Sequence, residues 1–191
     1  MRKVRFIGIL AIAIAAIGAL GFLWLQDDSS TRPSEEAAKP LADADLAMQG
    51  LEYEQMRDGV KEWRLEAVSA YFLKDKNVTQ LKDITVTFFA KDGNEVVMTA
   101  KEGRFYSKTQ NIQVWGGVNV ASKDGYSFKA PAVTYLAQGQ VVQSVHDVVF
   151  KGPQFEVTGK GLQASVEQGT VTILQNVSAT ISAAFASGVD S

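Results

Sequence analysis

From about Leu46 to the C-terminus, apolar and polar residues alternate in short runs separated by glycine, asparagine or aspartate. Trp63-Arg64-Leu65-Glu66-Ala67 and Ile84-Thr85-Val86-Thr87-Phe88 have period two, and the turn Lys91-Asp92-Gly93-Asn94 follows the second. Val96 to Ala100, Arg104 to Tyr106, Ile112 to Val114 and Val118 to Val120 repeat the pattern, with glycines at 103, 116 and 117 between them. Lys123-Asp124-Gly125 is a hairpin signal before Tyr126-Ser127-Phe128. Val133 to Tyr135, Val141 to Val145, Val148 to Phe150, Gln154 to Thr158, Leu162 to Val166, Val171 to Leu174 and Val177 to Ile181 continue it. The pattern predicts an all-β domain of about a dozen short strands, the mark of a sandwich, jelly roll or barrel. Met48 to Met56 fits either a strand or one helical turn, and no other stretch has helical periodicity. The segments NIQVWGGVNVASKDGYSFKAPAVTY and DVVFKGPQFEVTGKGLQASVEQGTVTI share an order of strand, glycine break, strand, turn, strand. That suggests stacked equivalent units, open at the ends of the stack.

The first residues follow another rule. Arg2, Lys3 and Arg5 precede an uncharged apolar run from Phe6 to Leu25, and Asp27 and Asp28 follow it. At about 1.5 Å per residue the run reaches roughly 30 Å, the thickness of a bilayer core. The charge asymmetry puts the N-terminus in the cytoplasm and the rest outside. A cleaved signal peptide is the competing reading, with sites after Ala15 or Gly21. Phe22, Leu23, Trp24 and Leu25 would then lead the mature chain, and Trp24 sits where an interfacial anchor belongs. We therefore read an uncleaved single-pass anchor. Ala11, Ala15 and Ala19, with Gly8 and Gly18, form a small-residue face that suits another helix, although alanine-rich anchors need no partner. The expected layout is a cytoplasmic stub and transmembrane helix over 1–25, a periplasmic tether over 26–45, a β domain over 46–183 and a flexible end over 184–191. The tether holds Pro33, Pro40 and Ser29 to Thr31 and lacks apolar periodicity.

Composition removes several function classes. A net charge of -2 gives no electrostatic footprint for nucleic acid. The absence of cysteine excludes disulfides, thiol catalysis and a cysteine zinc site. The single histidine, His146, cannot build a histidine-rich metal site. It precedes Asp147, but neighbours on a strand point to opposite faces. No serine lies in a nucleophile elbow, so no enzyme and no cofactor are expected. Gly159-Lys160-Gly161 lacks the context of a phosphate loop, and Lys160 is expected to be a solvated turn lysine.

The order of features resembles the LptC family of the lipopolysaccharide export machinery, within the wider LptA and OstA-like group. The likeness rests on a basic N-terminus, one span, a polar tether, DGVKEWRLEA, VTFFAKDGN, NIQVWGGVNV with KDGYSF, and VVFKGPQFEVTGKGL. It covers nearly the whole chain. It implies a twisted β-jelly roll of two antiparallel sheets with an open apolar groove. It implies a non-enzymatic role at the inner membrane: receiving lipopolysaccharide from an ABC transporter of LptF/LptG-like permeases with an LptB-like ATPase, and passing it to an LptA-like periplasmic bridge protein. A scaffold that joins partners without touching lipid is the alternative.

Acyl chains cannot cross water bare, since each buried CH₂ is worth about 0.8 kcal/mol. A lipid-binding groove needs large apolar side chains at alternate strand positions. The expected lining is Trp63, Leu65, Val86, Phe88, Val114, Val120, Phe128, Tyr135, Phe150, Phe155, Val157 and Ile173; ordinary sandwich core is the plain alternative for each. The resemblance further implies that an N-terminal edge, about Leu51 to Ala67, meets the transporter, and a C-terminal edge, about Val171 to Ala183, meets the bridge. Partner-binding candidates are Gly59, Gly152, Val171, Ile173, Val177 and Ile181. The two glycines match family positions, where a positive φ or a close backbone approach would call for glycine; a plain tight turn is the equal alternative for each.

Overall fold

In the computed structural model, residues 46–57, 59–90, 93–165, 167–168 and 170–181 are described. The expected span, tether and last eight residues lie outside them. Among the described residues no helix is long and apolar enough to cross a membrane.

Nine strands run in chain order: β1 (Leu46–Arg57), β2 (Val60–Leu73), β3 (Val78–Phe89), β4 (Glu95–Tyr106), β5 (Asn111–Ser122), β6 (Ser127–Leu136), β7 (Val141–Gly152), β8 (Phe155–Ser165) and β9 (Thr170–Ile181). Each pairs antiparallel with the next, so one sheet runs from β1 to β9, and among the described residues no strand lies beyond either end. This corrects two expectations. There are nine strands of 10–14 residues rather than about a dozen short ones, and one hydrogen-bonded sheet rather than two. The segment over Met48 to Met56 is strand β1.

The short runs of the sequence are the two halves of each long strand, divided by an irregularity. The register slips between Thr99 and Glu102 against β5, Trp115 and Val118 against β6, and Lys129 and Thr134 against β7. It slips again between Ser144 and Asp147 and between Thr158 and Lys160. Followed through the pairings, these breaks form one line across the sheet. Gly50, Asp83, Gly116, Gly117, Gly161 and Asn176, all at positive φ, lie on it. Pro131, which has no N–H to give a ladder, lies on it in β6.

A one-residue irregularity flips every later side chain to the other face. On β4 the buried positions are Val96, Met98 and Ala100 before the line and Gly103 after it. On β6 they are Phe128 and Ala130, then Val133 and Tyr135. Each half-strand thus keeps its own alternation while its apolar side faces the same interior. Residues from both halves form one hydrophobic cluster, with Val86 and Met98 at 0% exposure. Where the resemblance implies two sheets, the described strands form one, from β1 to β9.

Phe128→Ala should lower the unfolding free energy by about 3–5 kcal/mol, and Val145→Ala, at a 74% exposed position, by no more than about 0.5 kcal/mol, both read by urea denaturation. Gly116→Ala should cost about 1–2 kcal/mol in backbone strain alone, because its φ is +83 and a Cβ there comes within 2.7 Å of the Lys101 side chain.

Candidate functional site

The pairing aligns inward side chains into rows across the sheet. One row runs Tyr53, Leu65, Val86, Met98, Val120, Phe128, Phe150, Val157, Ala179, each directly opposite the next. Trp63 and Phe88 face each other one step along. In the other half-sheet Val114 pairs with Val133, Tyr135 with both Ile112 and Val142, and Ile173 with Leu162. The twelve residues expected to line a groove are thus all on strands, with their side chains on the inward face.

Their cover differs sharply along the sheet. Trp63, Leu65, Val86, Phe88, Val114, Val120, Phe128 and Tyr135 are buried in the packed cluster. Burial raises the Tyr135 phenol above its ordinary pKa. Phe150, Phe155, Val157 and Ile173, on β7 to β9, are only half-buried. On β9 cover falls away: Val171 is half-buried, whereas Val177 and Ile181 are 57% and 77% exposed. The row therefore begins among sealed side chains and ends at a free edge.

An aromatic group sits near that end. Phe155 lies 5.5 Å from Phe150 and 6.3 Å from Tyr126, ring centre to ring centre. Phe155 also pairs with Ile181 on the edge strand. Gly152 closes β7 immediately before the turn into β8, and a Cβ there would run into the Phe155 ring. Gly59 has a different reason for being glycine. It sits in the β1–β2 turn at φ +76 with open space where a Cβ would be. Tyr126, read in the sequence as the head of the run Tyr126-Ser127-Phe128 but not as a lining residue, lies just before β6.

At the opposite end, the range Leu51 to Ala67 is a hairpin rather than an edge. Among the described residues its β1 part has no outer neighbour, whereas β2 is paired on both sides. Tyr53 stacks on Trp63 at 5.3 Å and donates its hydroxyl to Gln55 Oε1 at 3.2 Å. Burial lifts its pKa. On the outward face Glu54 accepts from Lys61 at 2.8 Å and from Arg64 at 2.6 Å. Those hydrogen bonds, Lys61 first, hold its carboxyl below the usual range.

Gly159-Lys160-Gly161 lies inside β8 on the line of breaks, so Lys160 is an exposed strand residue and not a turn lysine. His146 is exposed, and its backbone N–H meets Ser144 Oγ at 3.3 Å. Ser144 is buried and donates to the Ala132 carbonyl at 2.7 Å. Among the described residues no three acidic or histidine side chains gather as a metal site.

Residues 10–182 match the family model described as LptC, lipopolysaccharide-assembly, LptC-related. No curated protein matches the chain in sequence.

Because the Glu54 pKa is lowered on folding, its contribution is present above the ordinary carboxylate pKa and lost as pH falls through the lowered value. Hydrogen exchange of β1 amides, corrected for intrinsic acid dependence, should show β1–β2 protection declining in that acid range. Glu54→Gln should flatten the decline.

Proposed function

The chain belongs to the LptC-related family of lipopolysaccharide assembly, and on that premise we propose that it is a non-enzymatic transport component that takes lipopolysaccharide from an inner-membrane ABC transporter and hands it to a periplasmic bridge protein. The observation that carries this reading is the inward apolar row, continuous from Leu65 in the packed interior to the uncovered end of β9. Acyl chains that meet the half-buried Phe150, Phe155, Val157 and Ile173 replace water there. They continue inward as the two half-sheets part. Sealing one such chain recovers about 0.8 kcal/mol per CH₂, which gives the lipid reason to stay between the halves rather than in solvent.

The edges supply the partners. A free edge strand offers unpaired N–H and C=O groups, and a second chain can extend the sheet by pairing there. The proposal gives β1 to LptF/LptG-like permeases served by an LptB-like ATPase, and β9, with Val171, Ile173, Val177 and Ile181, to an LptA-like bridge. ATP hydrolysis in the transporter provides the energy. The run Phe6 to Leu25 is assigned as a single inner-membrane span with the N-terminus cytoplasmic and residues 46–183 periplasmic, joined by residues 26–45 as tether. Gly59, in the β1–β2 turn, and Gly152, under Phe155, shape the two docking ends.

A second reading has its own observation. Val86 and Met98 are wholly buried, as expected of a scaffold that joins partners and never opens for lipid. Photo-crosslinkers at Phe150 and Phe155 should trap lipopolysaccharide when ATP is supplied, while one at the outward Val97 should not. Adducts to protein alone would favour the scaffold. Gly152→Arg should cut transfer to the bridge protein several-fold while leaving the melting temperature within a few degrees, because it displaces Phe155 and with it the support of Ile181. Transfer at the normal rate, or loss of the fold, would count against this.

A further inference from the structure

The outward face of one half-sheet carries chemistry that the transport reading does not use. Arg104, Gln113, Thr134, Gln143 and Gln163 stand directly opposite one another on β4 to β8, each half or fully exposed. At about 4.8 Å between strands the row spans roughly 19 Å. Arg104 lies over the ring of Trp115 at 5.2 Å. Tyr106 donates its hydroxyl to Gln113 Oε1 at 3.0 Å, which orients that amide. An open cleft of about 700 Å³ adjoins the row, with Gln143 and Gln163 in its wall beside Asn111 and Lys108. The outward row of the other half-sheet, from Glu52 through Thr85, Asn119 and Lys129 to Ser178, has charges and threonines but no aromatic ring.

Planar amides both donate and accept, as vicinal sugar hydroxyls require. An aromatic ring such as Trp115 gives an apolar face for a pyranose C–H surface. Neither the row nor the cleft contains a carboxylate, whereas Arg104 and Lys108 offer positive charge to acidic sugar substituents. A flat, elongated polar row suits an extended oligosaccharide better than a compact solute. The row also reaches the rim where lipid is proposed to enter. Gln163 pairs with Thr172 of β9, which points outward between the inward Val171 and Ile173.

We propose that this row and cleft bind the oligosaccharide portion of the lipopolysaccharide whose acyl chains lie on the inner face, so that the amphiphile straddles the β9 rim. The inference rests on the transport reading. The chain surface then sorts the molecule by polarity, with tails against Val171 and Ile173 and sugars against Thr172, Gln163 and Gln143.

The test uses the full chain in detergent micelles and lipopolysaccharide stripped of its acyl chains. Side-chain amide NMR signals of Gln113, Gln143 and Gln163 should move on titration while that of Asn119 stays. The double variant Gln143→Ala, Gln163→Ala should weaken binding at least tenfold with an unchanged melting temperature. Unmoved glutamine signals, or a double variant binding within twofold of the parent, would overturn the inference. Photo-crosslinking of intact lipopolysaccharide at Phe155 separates the two claims. If those adducts persist without glycan binding, only the saccharide surface falls; if they also vanish, the transport reading falls with it.

Discussion

Everything in this domain depends on keeping one apolar face continuous across a single nine-stranded sheet. A strand exposes alternate residues to opposite sides, so its side-chain phase must be managed wherever the register slips. The chain does this with one row of irregularities at the same level in successive strands. Gly116 and Gly117 supply positive φ in β5, Pro131 ends a ladder in β6, and the register slips at Ser144 and Asp147 in β7. The irregularities align, and the residues on either side of them share one hydrophobic cluster. Trp63, Val86 and Phe128 of one half pack in the same cluster as Val114, Val133 and Leu162 of the other.

The same arrangement makes the domain asymmetric along its length. Strands in the middle have neighbours on both sides, and their inward residues are sealed. Strands β8 and β9 keep the alternation but lose cover, from the half-buried Val157 to the largely exposed Ile181. An apolar side chain left in water at a free edge is ordinarily a liability. Under the proposed transfer role, it is a surface for a partner strand or an acyl tail to complete.

Much of this was legible in the sequence because alternation is a local property. The all-β class and the inward placement of all twelve lining candidates follow from period two alone. What was illegible was continuity. Val96 to Ala100 and Arg104 to Tyr106 read as separate strands because a phase change in a sequence looks the same whether it marks a turn or a bulge. Gly159 to Gly161 read as a turn for that reason, and it lies inside β8. The degree of burial was equally hidden, since Phe128 and Phe155 have the same pattern around them and differ only in how many strands lie beyond. The row of glutamines was invisible for a third reason: Arg104, Gln113, Gln143 and Gln163 become neighbours only when the register is known.

The order of strands in space is the order in the chain, and this bears on how the domain forms. Every backbone pairing joins consecutive segments, so no strand waits for a distant partner before its hydrogen bonds can be made. Topologies of that kind keep each loop-closure penalty small. A polypeptide made from its N-terminus can therefore assemble progressively, β1 with β2 and then each later strand on the last. The unfinished edge is always the newest strand, and the completed domain retains that condition at β9.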